Sequence, residues 1–302
     1  LVKGNKAAGV RLEDGTTLPA DVVVFNGDSN ALATGQLGQG AMRAVKPRPA
    51  QKRGLSALTW CIKGSSSGFD LDHHNVFFES NYPSEFNTLF RDRCIPKKPT
   101  VYLCAQDRGT QQALNGSERM LMLVNAPADG DTQSWDKDQI ARIRDNALAV
   151  LNRCGLTLTF GDRDCVSTTP TDWHGRFPAS GGSLYGGSSH GIWSSFTRPG
   201  ARSRLKGLYL SGGSVHPGPG VPMATLSGRL AARAVRRVDD AAPQPRARAR
   251  QAAPRLVSAT QRRRDAREGG GAIRERGPAI PVSGRGRLTN ASSSSALGPK
   301  HA

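Results

Sequence analysis

At 302 residues the chain can hold one large domain or two smaller ones around a sizeable core. Its net charge of +18 would fit a nucleic-acid or anionic-membrane partner if it were evenly spread, but residues 241–302 carry 12 Arg and 1 Lys against 3 acids, which is +10 of the total. No stretch approaches the roughly 18–20 apolar residues of a bilayer span, no signal peptide is visible, and the body of the chain is only moderately basic.

The chain opens on Leu1 within a strand-like pattern, so its true N-terminus is expected to lie upstream. Gly9 to Leu12 alternates, Asp14-Gly15 supplies a turn, and Thr16 to Leu18 returns as a hairpin. Ala20 to Phe25 is a continuous apolar run of the kind buried on both faces in a parallel sheet, stopping at Asn26-Gly27-Asp28. Asp28, at that strand end, can bond a ribose hydroxyl or cap the following turn. Residues 54–62, 74–80, 99–105 and 118–126 are short strand-like segments, with a polar loop from Gln106 between the third and fourth. The spacing predicts a helix over 136–153: Ile140, Ile143, Ala147, Val150 and Leu151 share a face, Ser134 and Asp136 can cap its start, and Gly155 follows its end.

Five cysteines (Cys61, Cys94, Cys104, Cys154, Cys165) show no C-x-x-C pair and no histidine at zinc-ligand spacing, so reduced, buried thiols are expected. His73 and His74 are adjacent; on a strand they face opposite sides and cannot both line one pocket, so no metal site is expected. Arg198 can clamp a phosphate or pair with a surface acid. Beyond Asp240 the chain lacks aromatics and cysteine and is rich in Arg, Ala, Gly, Pro and Ser. Such a tail cannot bury enough apolar surface to offset chain entropy and reads as disordered. A frame change in a GC-rich coding sequence would generate the same bias.

The most informative segment is Leu208-Tyr-Leu-Ser-Gly-Gly-Ser-Val-His-Pro-Gly-Pro-Gly-Val-Pro-Met223, an apolar strand ending in a glycine and proline loop. A small-residue stretch suited to a packed helix follows, Ala224 to Ala232. A strand that stops in glycines and feeds a helix lets backbone N–H groups approach a ligand and aims the positive helix end at it. The spacing alone leaves the ligand open.

This segment resembles the C-terminal signature of the carotenoid desaturase family, flavoproteins that oxidise long polyenes. It is most similar to the hydroxycarotenoid 3,4-desaturase (methoxyneurosporene dehydrogenase) branch. The resemblance runs over about residues 1–238 and is carried by further motifs in family order: Leu71 to Phe86 with its paired histidines and the tyrosine-containing loop after them, Pro99 to Cys104, Met120 to Pro127, Thr169 to Asp172 and Phe196 to Pro199. The fold it implies is α/β (α+β): a C-terminal fragment of a two-lobed FAD-dependent oxidoreductase with an inserted α+β substrate domain and a disordered tail. Residues 1–30 and 205–238 would belong to the FAD-binding domain, 31–204 to the substrate-binding domain and 239–302 to the tail. The resemblance implies that Asp28, Gly212, Gly213, His216, Pro217, Gly218, Pro219, Gly220, Val221, Pro222 and Met223 lie against FAD. The helix after Pro222 would face the flavin edge where negative charge gathers on reduction. His216 itself reads as a titrating base or polar contact to the flavin, or as a loop histidine bonded to backbone.

The implied activity is FAD-dependent 3,4-desaturation of an acyclic hydroxy- or methoxycarotenoid, by hydride transfer from an allylic C–H to flavin. A carotenoid substrate implies peripheral attachment at the cytoplasmic side of the inner membrane. The resemblance names no catalytic base. Phytoene desaturase or carotenoid isomerase activity is the alternative within the family; a basic nucleic-acid or lipid-binding protein is the alternative outside it, though the Arg tail lacks the aromatics that stack on bases. No G-x-G-x-x-G fingerprint follows a strand, since Gly35, Gly38 and Gly40 have the wrong spacing. The chain therefore carries the closing part of an FAD site without its opening part, and alone is expected to bind FAD weakly or not at all. No nucleophile elbow or P-loop is present either.

Overall fold

A computed structural model describes residues 1–79, 81–109, 116–188 and 196–241, with side chains to Arg237. The Arg-rich tail from residue 242 lies outside them. The chain begins with the short strands β1 (Val2–Lys3) and β2 (Lys6–Ala7), then the expected hairpin, β3 (Gly9–Arg11) against β4 (Thr17–Pro19). Strand β5 (Val23–Phe25) follows, then the short helix α1 (Ser29–Ala33). The central part contains β6 (Ser56–Gly68), β7 (His74–Phe77), α2 (Tyr82–Phe90), β8 (Val101–Ala105) and β9 (Glu118–Ala126). It continues through α3 (Lys137–Arg153), β10 (Leu156–Thr159), β11 (Cys165–Thr168) and α4 (Pro170–Arg176). The last strand, β12 (Leu208–Leu210), leads into α5 (Val221–Ala241).

An antiparallel sheet of order β10-β6-β9-β8-β7, with β11 also on β6, is the largest sheet among the described residues. Strand β6 runs to Gly68 rather than ending near residue 62, because β11 and β10 pair in tandem along the edge that β9 leaves free. Alternation along β6, β8 and β9 sends Leu58, Trp60, Ile62, Leu103, Met120, Met122 and Val124 to one face. Helix α3 covers that face with Ala147, Val150 and Leu151. Its start is a capping box, Asp136 accepting from the Gln139 N–H and Gln139 returning the bond, and Gly155 just past its end takes φ +84°. A second apolar cluster joins Leu32, Ala44, Val45, Leu205, Leu208, Leu210 and Val215.

Three expectations are corrected. The segment read as a tyrosine-containing loop is helix α2, which starts with Pro83 in its first turn and seats Glu85 and Leu89 inward. Strand β5 is not buried on both faces: it pairs in parallel with β12, but Val22 and Val24 stand 37% and 52% exposed. Among the described residues no further strand joins this two-stranded parallel sheet. The cysteines are free as expected, yet Cys61 and Cys94 are exposed rather than buried, because both lie off the α3-covered sheet face.

At the start of the central strand β9, the buried Glu118 accepts from Arg108 at 3.0 and 3.1 Å and from the Ser66 hydroxyl. Burial pushes the Glu118 carboxyl up, but the bonds from Arg108 and Ser66 outweigh it and hold it below its ordinary value. A carboxylate depressed in the folded state stabilises above the ordinary carboxylate range, and that contribution is lost as pH falls through the folded value. Glu118→Gln is expected to lower stability at neutral pH by about 1–3 kcal/mol. The gap from wild type should close as the pH is lowered, read as urea midpoints across a pH series; a gap that stays constant would contradict this assignment.

Candidate functional site

The three buried residues of β12 end at Ser211, whose N–H donates to the Phe25 carbonyl and so continues the pairing with β5. The chain then leaves the sheet through Gly212 at φ +111°, where a Cβ would come within 2.5 Å of the Asn26 amide oxygen. The Gly212 N–H donates to the hydroxyl of Ser227, a fully buried residue on α5, at 2.7 Å, tying the loop to the helix that follows it. Ser214 accepts from the Ser29 N–H at 3.1 Å and joins the loop to the start of α1. His216 donates its backbone N–H to the Pro199 carbonyl and its ring lies 5.9 Å from that of Phe196; the His216–Pro217 bond is cis.

Beyond it, Gly218 and Gly220 have positive φ, and the space beside Gly220 is open. The first turn of α5 begins there, presenting the N–H groups of Val221 and Met223; Pro222 has none to offer. Val221 is 82% exposed and Met223 45%, so the first turn of this helix presents apolar side chains to the surface. Glycine backbone, an open helix N-terminus and an apolar rim can together receive a flat ligand that carries partial negative charge. Gly220 provides the clearance for such a ligand: a flavin edge fits this donor set, whereas Gly213 meets only the ring of Pro219, at ordinary contact distance.

Long-range contacts place two residues whose sequence reading left alternatives open. Arg198 does not stand at the surface. It is buried, and its guanidinium donates inward to the carbonyls of Tyr185, Gly187 and Gly213 at 2.8 to 2.9 Å. Burial lowers its pKa, and the nearby Arg48 adds to that. Asp28 takes the capping alternative: its carboxylate accepts from the Asn30 N–H at 2.8 Å at the start of α1 and pairs with Arg48 at 3.1 Å. Helix α4, over the family motif at Thr169–Asp172, likewise starts with a reciprocal cap.

The paired histidines are a further difference. His74 opens β7, but His73 precedes it in a bend, so strand alternation does not separate the two rings, which meet edge to face at 4.4 Å.

A cavity of about 790 Å³ adjoins Arg198 and Pro199 and was not foreseen. Lys46, Arg48, Lys52, Arg198, Arg202 and Arg204 line it, and among the described residues no acidic side chain does. The signal available in the sequence was the basic run at 46–53 together with Arg198 to Arg204. Only the fold brings those stretches to one cavity.

Residues 1–236 match the profile of the flavin containing amine oxidoreductase family, to which this chain belongs. Among its relatives, the hydroxyneurosporene desaturase of Rubrivivax gelatinosus is 51% identical over 234 residues, covering 77% of this chain and 44% of that protein. The hydroxyneurosporene desaturase of Cereibacter sphaeroides is 43% identical, over 78% of this chain and 47% of that one. The 1-hydroxycarotenoid 3,4-desaturase of a Flavobacterium species is 32% identical, over 76% and 46% respectively. The chain spans about half the length of the curated relatives it matches. No helix among the described residues is long and apolar enough to cross a membrane.

Proposed function

We propose that this chain forms the cofactor-closing and substrate-binding half of a FAD-dependent carotenoid desaturase acting on an acyclic hydroxy- or methoxycarotenoid. The observation that carries the reading is the β12–loop–α5 unit, with its open, glycine-lined and apolar-rimmed helix start. Bound FAD supplies the acceptor for the hydride lost from an allylic C–H. Toward it, Gly212 to Met223 give backbone clearance and N–H donors, and the positive end of α5 favours the charge that gathers on reduction. Val221 and Met223 keep water from that edge. The side chains of the basic cavity supply charge for a phosphate-bearing cofactor, and Asp28 holds Arg48 and the start of α1 in place beside it.

In this reading the architecture is two-lobed. Residues 1–30 and 205–238 serve the FAD lobe, and 31–204, with the large antiparallel sheet, serve the substrate. The exposed Val22 and Val24 on a two-stranded parallel sheet support a wider sheet in the complete enzyme. A polyene substrate supports peripheral contact with a membrane surface.

The test is to express the full-length enzyme and feed it 1-hydroxyneurosporene and phytoene separately. A yellow, flavin-containing preparation that lengthens the conjugation of the hydroxylated substrate is expected. Turnover of phytoene alone would move the assignment to the phytoene desaturase branch, and a flavin-free, inactive preparation would overturn it.

A further inference from the structure

We propose that His73, His74 and Cys104 form a binding site for a divalent cation of the zinc class, at the edge of the large sheet and apart from the glycine loop. One nitrogen from each ring and the Cys104 sulfur all lie within 4.8 Å of one another. The juxtaposition is set by the backbone: His74 and Cys104 are directly opposed partners in the β7–β8 ladder, and the bend at His73 turns the second ring onto the same side.

The chemistry of each group is that of a ligand. His73 Nδ1 lies 2.9 Å from the Arg108 carbonyl, which can only accept, so Nδ1 carries the proton and Nε2 keeps its lone pair. That Nε2 stands 3.6 Å from the Cys104 sulfur. Zinc bonds of about 2.1 Å to nitrogen and about 2.3 Å to sulfur, meeting at the tetrahedral angle, span about 3.6 Å between the two ligand atoms. A histidine whose other N–H is committed to a backbone carbonyl is the usual arrangement behind a metal. The carbonyl is itself steadied, because the Arg108 side chain is locked to Glu118, Ser66 and the Leu71 carbonyl. His74 is exposed and can turn to close the remaining distance, and its Nδ1 is steered by the Tyr102 hydroxyl at 2.9 Å. Two imidazoles and one thiolate suit zinc over magnesium or calcium, which take oxygen ligands. Binding displaces the Cys104 thiol proton to solvent and leaves both imidazoles neutral, with water in the fourth position. The bound ion would staple the edge strand β7 to β8.

The experiment is to titrate the tag-free chain with Co²⁺ as a spectroscopic substitute and with Zn²⁺ in competition. Expected are a stoichiometric near-ultraviolet thiolate-to-cobalt band, its loss on adding Zn²⁺, and a zinc-dependent rise in melting temperature. Cys104→Ser should abolish the band and His74→Ala should weaken binding, both with unchanged circular dichroism. If Cys104→Ser fails to fold, His74→Ala, at an exposed position, decides. Absence of stoichiometric binding, or an undiminished band in the variants from the other four cysteines, would overturn the site.

Discussion

Arg198→Ala is expected to destabilise the chain by about 3–5 kcal/mol, because one buried guanidinium serves three carbonyls that alanine would leave without their donors. Those carbonyls belong to the segment at Tyr185–Gly187 and to Gly213 in the glycine loop. The substitution therefore loosens two stretches at once and opens the wall of the basic cavity. Urea unfolding of the chain measures the stability loss, and flavin content of the full-length enzyme measures the consequence for the loop. Lysine should recover little, since a single ammonium cannot reach three carbonyls that a planar fork spans. A loss under about 1 kcal/mol, or full rescue by Arg198→Lys, would show that the loop is held by other contacts.

Gly186→Ala is the second large effect, expected at about 2–4 kcal/mol. Gly186 has φ +71°, and a Cβ there would lie 2.9 Å from the Cα of Ser214, a backbone atom of the glycine loop that cannot swing aside. Gly212→Ala meets a different obstacle, the amide of the exposed Asn26, which can rotate away, so its cost is mainly the positive φ. Measured side by side, Gly186→Ala should be the more damaging to stability and to flavin retention. The reverse order would mean that the contact between Gly186 and Ser214 is not what positions the loop.

Much of the fold was legible. The hairpin at 9–19, the four strand segments and helix α3 all declared themselves through period-two alternation, a glycine turn, a cap and a helical apolar stripe. These are local signals, and each is complete within about twenty residues. Helix α2 was not legible, because its aromatic residues and Pro83 carry strand and turn signals, while the helix seats Glu85 and Leu89 inward through tertiary contact. The length of β6 was missed for a related reason: past residue 62 it is serine- and glycine-rich, and it stays extended because β10 pairs with it.

The site divides along the same line. The order of residues from Leu208 to Met223 by itself determined a strand, a glycine exit and a helix start, since each follows from backbone preferences of neighbouring residues. The tertiary structure decided what long-range contact alone can decide. It turned Arg198 inward onto the glycine loop, committed Asp28 to a cap and to Arg48, gathered two basic stretches around one cavity, and folded His73 and His74 together above Cys104. Side-chain destinations across more than a few residues depend on which backbones the sheet brings into register, and no local pattern encodes that.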